Sequence, residues 1–351
     1  MQNQTRKLFN AYLGQIAKLN SLDGDFFSAG STEIKKFTVT PVIEQRLQAK
    51  LQTSSDFLSR INIVPVVPQM GDRVGVGVVG SIASRTDTAG GNRRQTVDPF
   101  GSDPIDQYLC KQTNYDYHWR YALLDSWAHR PEFQQLCRDA IILAKSQDII
   151  KIGFNGVDAK AQTNRAANPL LQDVNYGWLH KMRTYAPNRV LSHGDLDQLK
   201  VYVSETGPSD YENLDALVFD VIHNLIHEEF RGAPDLVVVV GSDLVHDKYF
   251  KIITEAGNTA TEMVARDVLM SSRQLGGKPT VQLPYFPANA LLVTSLKNLS
   301  YYWQIGSSRR NVREESDLDR IANYESVNDA FMVEEYGKAA LVENIKIGPK
   351  S

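Results

Sequence analysis

The sequence predicts an α+β protein organised around one long helix, and three observations carry that reading. Residues 131–152, PEFQQLCRDAIILAKSQDIIKI, read as a single helix roughly 33 Å long, nearly twice the usual globular length. Short segments rich in β-branched and aromatic residues stand before it (Ile61–Val67, Arg73–Ile82, Gln107–Tyr121) and after it (Leu291–Thr294, Leu299–Trp303). Between them, residues 211–283 alternate helical and strand patterns, the signature of a compact mixed α/β lobe. The long helix is read as a spine with sheet packed on its apolar stripe.

The first 22 residues contain no Asp or Glu but carry Arg6, Lys7 and Lys18, and Phe9, Tyr12, Leu13, Ile16 and Leu19 form a helical stripe. A presequence would be richer in Arg and Ser, and no apolar secretory core is present. The segment is therefore expected to be a detachable helix that packs on a partner, with a membrane-surface helix as a weaker alternative. Ser21–Ser31 is a Gly/Ser/Asp linker. A second amphipathic helix follows, with Thr40 as N-cap, Pro41 in the first turn, and Ile43, Leu47, Leu51 and Leu58 on one face. No neighbouring segment covers that face, so it must lie on something distant or on another chain.

Ile61–Val67 reads as a strand ended by Pro65 and Pro68. Residues 70–120 read as a long two-stranded excursion with a polar tip, its return strand placing Thr113, Tyr115, Tyr117, Trp119 and Tyr121 on one face. An isolated hairpin is marginal in water, so a neighbour must hold it. In the spine, Pro131 suits the first turn, Phe133, Leu136, Cys137, Ala140, Ile141 and Ala144 form the apolar stripe, and Gly153 with Asn155–Gly156 ends the helix. Beyond it come a short helix at Trp178–Tyr185, a hairpin near Val201, helix Tyr211–Phe230, buried strand Leu236–Val240, helices Asp243–Ala256 and Thr261–Ser272, and strand Pro279–Leu283. From Asn289 onward short strands return, including a pair around Gly337–Lys338, with only the spine to pack on.

With 351 residues and 42% hydrophobic content, two lobes are expected. The net charge of −3 argues against a dedicated nucleic-acid binder. Cys110 and Cys137 sit on unrelated segments and read as buried free thiols. The longest aliphatic run, Leu236–Val240, is far below the ~18 residues needed to span a bilayer.

The motifs that could carry chemistry each lack a required part. Gly75–Gly80 (GVGVVG) matches the dinucleotide fingerprint, which supports an alternative reading as a soluble nucleotide-binding oxidoreductase. However, no helical stripe follows to hold a pyrophosphate. His223 and His227 stand four apart on one expected helix without a third ligand, and read as its polar face. His193 and Asp195 read as a solvated turn, and Glu334 and Glu335 straddle opposite faces of a strand. Asn298–Ser300 is a glycosylation sequon without a secretory signal. No nucleophile elbow and no phosphate loop occurs, so no catalytic, cofactor or metal residue is assigned. Arg309, Arg310 and Arg313, followed by Glu314 and Glu315, suggest ion pairing across a contact. What remains is mechanical: an uncovered arm, an unsupported hairpin and a rod. If every partner is another copy, the contacts are heterologous and close into rings or shells.

Ten strings stand in order along the chain: KKFTV (35–39), SSDFL (54–58), RINIVPV (60–66), GVGVVGSIASRTDTAGG (75–91), GFNGV (153–157), NPLLQDVNYGWL (168–179), PDLVVVVG (234–241), DKYF (247–250), LPYFPANALLVTSLKNLSYYW (283–303) and LDRIANYESVN (318–328). In these strings the chain resembles the major capsid proteins of P2-like tailed bacteriophages, which have the HK97-like capsid fold. The resemblance implies a scaffold-like or cleavable segment at 1–37, an N-terminal arm at 38–60 and an extended β-hairpin loop at 61–122. The spine helix of the peripheral domain would occupy 123–156 and the axial domain 157–285, with C-terminal strands at 286–351 returning to the peripheral domain. It further implies homo-hexamers and pentamers of an icosahedral head around non-specifically held double-stranded DNA. Assembly would occur in the bacterial host cytoplasm with a scaffolding protein, a prohead protease and a portal protein. A maturation cut is expected near KKFTV, at Phe37–Thr38. Inter-subunit contacts are expected from the hairpin tip (Arg85, Asp87, Arg93, Arg94) and from Arg309, Arg310, Arg313, Glu314 and Glu315. The mild negative charge suits an inner wall that must release DNA.

Overall fold

The computed structural model describes residues 1–22, 34–74, 83–89, 93–94, 96, 104–128, 130, 132–244 and 274–350. Gly75–Gly80, Pro131, most of the Ser21–Ser31 linker and most of the two helices expected at 243–256 and 261–272 lie outside the described residues.

The chain opens with α1 (Asn3–Leu19), in which Phe9, Leu13 and Ile16 are buried as the spacing predicts, while Leu19 is exposed. Next come β1 (Ile34–Thr38), α2 (Pro41–Thr53), α3 (Asp56–Arg60) and β2 (Asn62–Val66). Pro65 lies within β2 rather than ending it; β2 is an outermost strand, where a missing N–H costs no ladder bond. The excursion is shorter than the sequence suggests. β3 (Met70–Val74) pairs with β4 (Pro104–Leu109), but the return strand then breaks into β5 (Lys111–Asn114) and β6 (Tyr117–Arg120), which leave the hairpin for the main sheet. The alternation holds across that break, with Thr113, Tyr115 and Trp119 buried.

After α4 (Tyr121–Trp127) the spine helix α5 runs Phe133–Asn155. Its buried face differs from the expected stripe. Ala140 and Ala144 are exposed, and Cys137, Ser146, Ile149, Ile150, Ile152 and Phe154 are buried. Gly153 does not end the helix; it lies inside it, because the indole of Trp178 occupies the space a side chain would take. The helix stops at Asn155, with Gly156 as C-cap.

The second half contains α6 (Trp178–Tyr185), β7 (Val190–Leu191), β8 (Val201–Val203), α7 (Leu214–Asn224), α8 (Glu228–Arg231), β9 (Val237–Val240), β10 (Gln274–Leu275) and β11 (Lys278–Gln282). Then follow β12 (Leu291–Thr294), β13 (Leu299–Gln304), β14 (Arg309–Glu315), β15 (Arg320–Val333), β16 (Ala340–Val342) and β17 (Ile345–Ile347). The single helix expected over 211–230 is two, broken at Leu225–His227. The expected hairpin at Val201 is instead a parallel pairing of β8 with β17.

A seven-stranded sheet is built on the 14-residue β15. Along one side β15 pairs with β14 and then β13, and along the other with β6 and then β5, all antiparallel. β1 extends this sheet beyond β14, and β2 runs parallel to β13. A second, mixed sheet has the order β10-β11-β9-β12-β16-β7. The segment 286–351 therefore divides: β13–β15 return to the spine, whereas β12, β16 and β17 pair with strands of the 157–285 region. This corrects the expectation that the whole segment returns.

Alternation along the second sheet shares its faces between two cores. Val238, Val240, Leu291 and Val293 pack with Leu217, Val218 and Val221 of α7. Val239, Leu292 and Leu341 pack instead with Ile149, Ile152 and Phe154 of the spine, Trp178 of α6 and Tyr301 of β13. The two lobes thus share one continuous core beneath the spine's C-terminal half.

Candidate assembly surfaces

The apolar face of α1 packs in a groove of its own chain. Phe9 and Tyr12 of α1 meet the Trp119 ring edge-on at 5.9 and 6.4 Å, and the groove is completed by Phe37, Val39, Leu124, Cys137, Val312 and Ile321. Arg6 pairs with Glu314 at 2.8 Å, and Gln2 N–H donates to Asp125. The buried part of the amphipathic stripe, Phe9, Leu13 and Ile16, thus meets partners within the chain, while Leu19 stays exposed. α2 likewise lies on the distant spine, with its Leu51 and the following Phe57 and Leu58 of α3 in the shared core. Glu44, 2% exposed, accepts N–H bonds from Gly306 and Ser308 at 2.7 and 2.8 Å and so ties the arm to the β13–β14 turn. The Phe37–Thr38 bond lies in β1, its residues paired with Arg310 and Arg309 of β14, and Phe37 is buried. A protease that needs an extended, unpaired substrate reaches that bond only once β1 has left the sheet.

At the excursion's tip, Arg85, Asp87, Arg93 and Arg94 are exposed. Asp87 accepts the Ala89 N–H, a local turn contact. Most of the charged run on β14 is occupied inside the chain. Glu314 takes Arg6 and the Tyr121 hydroxyl, and Glu315 takes Arg320 and Tyr324. Arg310 donates to Asn323 and Tyr117. Arg309 and Arg313 are exposed.

Sequence reading missed a buried acidic network beneath the spine. Asp329 of β15 is fully buried and receives Thr113 Oγ1 at 2.7 Å, Asn175 Nδ2 at 2.9 Å, Tyr115 OH at 3.1 Å and Tyr301 OH at 3.2 Å. Burial pushes its carboxyl up to about 6, against the lowering effect of those donors. Nearby, burial also raises Glu325, but Lys145 at 2.7 Å and Arg310 outweigh that and hold it below the usual carboxylate range. The signal was present in the sequence: an Asp inside the strand run NDAFMV, where alternation demands an inward side chain.

The chemical candidates disperse. His223 belongs to α7, whereas His227 precedes α8 and donates its N–H to Gly337, so they do not share a helix face. Glu334 and Glu335 follow β15 rather than straddling it; Glu335 caps the next turn and Glu334 accepts from Tyr302. Asn298, the sequon residue, is buried and donates to Thr294 and Glu335. Among the described residues no cluster of three His, Cys, Asp or Glu could hold a metal, and no helix is long and apolar enough to cross a membrane. Cys110 and Cys137 are buried free thiols.

Residues 8–345 match the family model described as phage major capsid protein, P2 family. The chain is 47% identical to the capsid protein of Escherichia phage P2 over 99% of its own length and 96% of that protein's. It is 39% identical to the major capsid protein of Serratia phage KSP20, over 98% and 97%. Its fold superposes on a chain of the satellite phage P4 procapsid, solved with its size determination protein, with a TM-score of 0.80, 44% identity and full coverage of both chains. The α+β architecture is accordingly the HK97-like capsid fold. The oxidoreductase alternative on Gly75–Gly80 falls, because this is a family of structural capsid proteins rather than enzymes. With the family match spanning almost the whole sequence and the relatives aligned end to end, the chain belongs to the P2 family of phage major capsid proteins.

Proposed function

We propose that this capsid protein builds the hexamers and pentamers of an icosahedral phage head that encloses double-stranded DNA without sequence preference. Assembly takes place in the bacterial host cytoplasm with a scaffolding protein, a prohead protease and a portal. Residues 38–60 serve as the arm, 61–122 as the extended loop, the spine with the seven-stranded sheet as the peripheral domain, and the second sheet as the axial domain. The observation that carries this reading is the family match over residues 8–345. The exposed cations of the loop tip, Arg85, Arg93 and Arg94, supply a surface that a neighbouring copy can cover. Arg309 and Arg313 supply a second, beside the internally paired Arg310, Glu314 and Glu315. Maturation trims the N-terminus near Phe37–Thr38 after β1 is lifted from β14. In the virion the protein forms the capsid wall.

Negative-stain imaging of the protein co-expressed with its scaffold tests this. Closed particles are expected, and a persistent monomer overturns it. Deleting Arg85–Asp98 should impair assembly while leaving the far-UV circular dichroism signal largely intact; equal loss of both would place the loop in the core instead.

A further inference from the structure

Where the last turn of α1 meets the first turn of α2, the two helices enclose an open groove of about 700 Å³. Leu19 and Val42 line it while 56% and 59% exposed, with the half-buried Ile43 beside them. Apolar side chains exposed side by side in a concave site are left for a partner to cover. Lys18 and Arg46 stand on the rim, and among the described residues no carboxylate lines it. The walls are held in register: Asn20 donates to Ile16 O at 2.9 Å and accepts the Thr40 N–H at 3.2 Å, stapling the end of α1 to the start of α2.

We propose that this groove docks an acidic, apolar segment of an assembly partner, and that it does so only while α1 remains attached. Charge complementarity selects the occupant: two cations with no facing acid among the described residues favour carboxylates, and the exposed Leu19–Val42 pair favours aliphatic side chains between them. Because α1 supplies one wall, trimming the N-terminus dismantles the site, so the partner is released by the cut that matures the subunit. This last step rests on the trimming reading above; the groove itself does not.

The test uses the full-length soluble subunit and two fluorescein-labelled 18-residue amphipathic helical peptides, one of Glu, Leu and Ala, the other with Lys in place of Glu. Fluorescence anisotropy at low salt should show the acidic peptide binding at least tenfold more tightly than the basic one. K18E/R46E should remove that preference. Equal binding of the two peptides, or a preference that survives K18E/R46E, overturns the proposal. If the acidic peptide binds appreciably only to a D23K/D25K variant, the chain's own residues occupy the groove, and the proposal is likewise overturned. The readout is independent of particle formation, so its failure is distinct from failure of the shell reading.

Discussion

Gly153 of the spine lies directly beneath the indole ring of Trp178, so close that a Cβ at position 153 would overlap the ring. Trp178 cannot move aside easily: it is fully buried, donates its N–H to Ser300 O at 2.9 Å, and meets Phe57, Phe154 and Phe331 edge-on. Gly153→Ala improves helix propensity by about 1 kcal/mol, but overpacking a closed core costs about 1–3 kcal/mol or more. The backbone or the indole must shift, so net destabilisation of about 2 kcal/mol is expected in urea unfolding. Adding Trp178→Phe should partly relieve it, giving a non-additive double-mutant cycle.

The Asp329 network predicts a pH dependence of the opposite sign to ordinary acid denaturation. Its carboxyl binds a proton more tightly folded, at about 6, than unfolded, near 3.8. Its contribution is therefore complete below the unfolded value and is lost as pH rises through about 6, by roughly 3 kcal/mol. Asp329→Asn should flatten the stability profile between pH 4 and 6.5 relative to the parent. A variant profile that keeps the parent's slope would assign the dependence to another group. Glu325, whose pKa is lowered, acts in the reverse direction at lower pH.

Local periodicity made much of this fold legible. Trp178–Tyr185 and Leu291–Thr294 fall on α6 and β12, and the face shared by Thr113, Tyr115, Tyr117, Trp119 and Tyr121 is the less exposed one through a strand that breaks in two. What local pattern could not reveal is the identity of distant partners. Val201–Val203 pairs with Ile345–Ile347, more than 140 residues away, so the residues around Val201 carry no trace of it. The amphipathic helix α1 shows the same limit. Its stripe was plain, but that it would lie on Trp119 of its own chain depends on a groove assembled from β6, β14 and α5. Asp329 was legible in principle, since inward alternation places a carboxylate among Tyr115 and Tyr301, yet the donors that satisfy it come from three separate segments.

Glu44 gives a prediction about the arm that is independent of apolar packing. Its carboxylate accepts the Gly306 and Ser308 N–H groups across more than 260 residues of sequence. Glu44→Ala leaves both donors short of a partner, a loss of about 1–3 kcal/mol for each that stays buried. Glu44→Gln retains an acceptor and should cost clearly less. Amide exchange at residues 306–308 reads this directly, with faster exchange expected in Glu44→Ala; unchanged exchange would mean that water replaces the carboxylate.

Docking of α1 can be read through Cys137. That thiol is 1% exposed, lies in the groove with Phe9, Leu13 and Trp119, and burial pushes it up to about 11. Phe9 is fully buried, so Phe9→Ala removes about 3–5 kcal/mol of packing, more than a 17-residue helix held by one apolar stripe readily bears. The rate of Cys137 modification by a thiol-reactive dye should rise at least tenfold, whereas Cys110, fully buried in a separate cluster and pushed up to about 12, should stay protected. Arg6→Ala should change the rate little: Arg6 is 40% exposed, and a partly exposed ion pair contributes about 0.2–1 kcal/mol. If Arg6→Ala accelerated modification as much as Phe9→Ala, the ion pair with Glu314 rather than the aromatic cluster around Trp119 would be holding the helix in place.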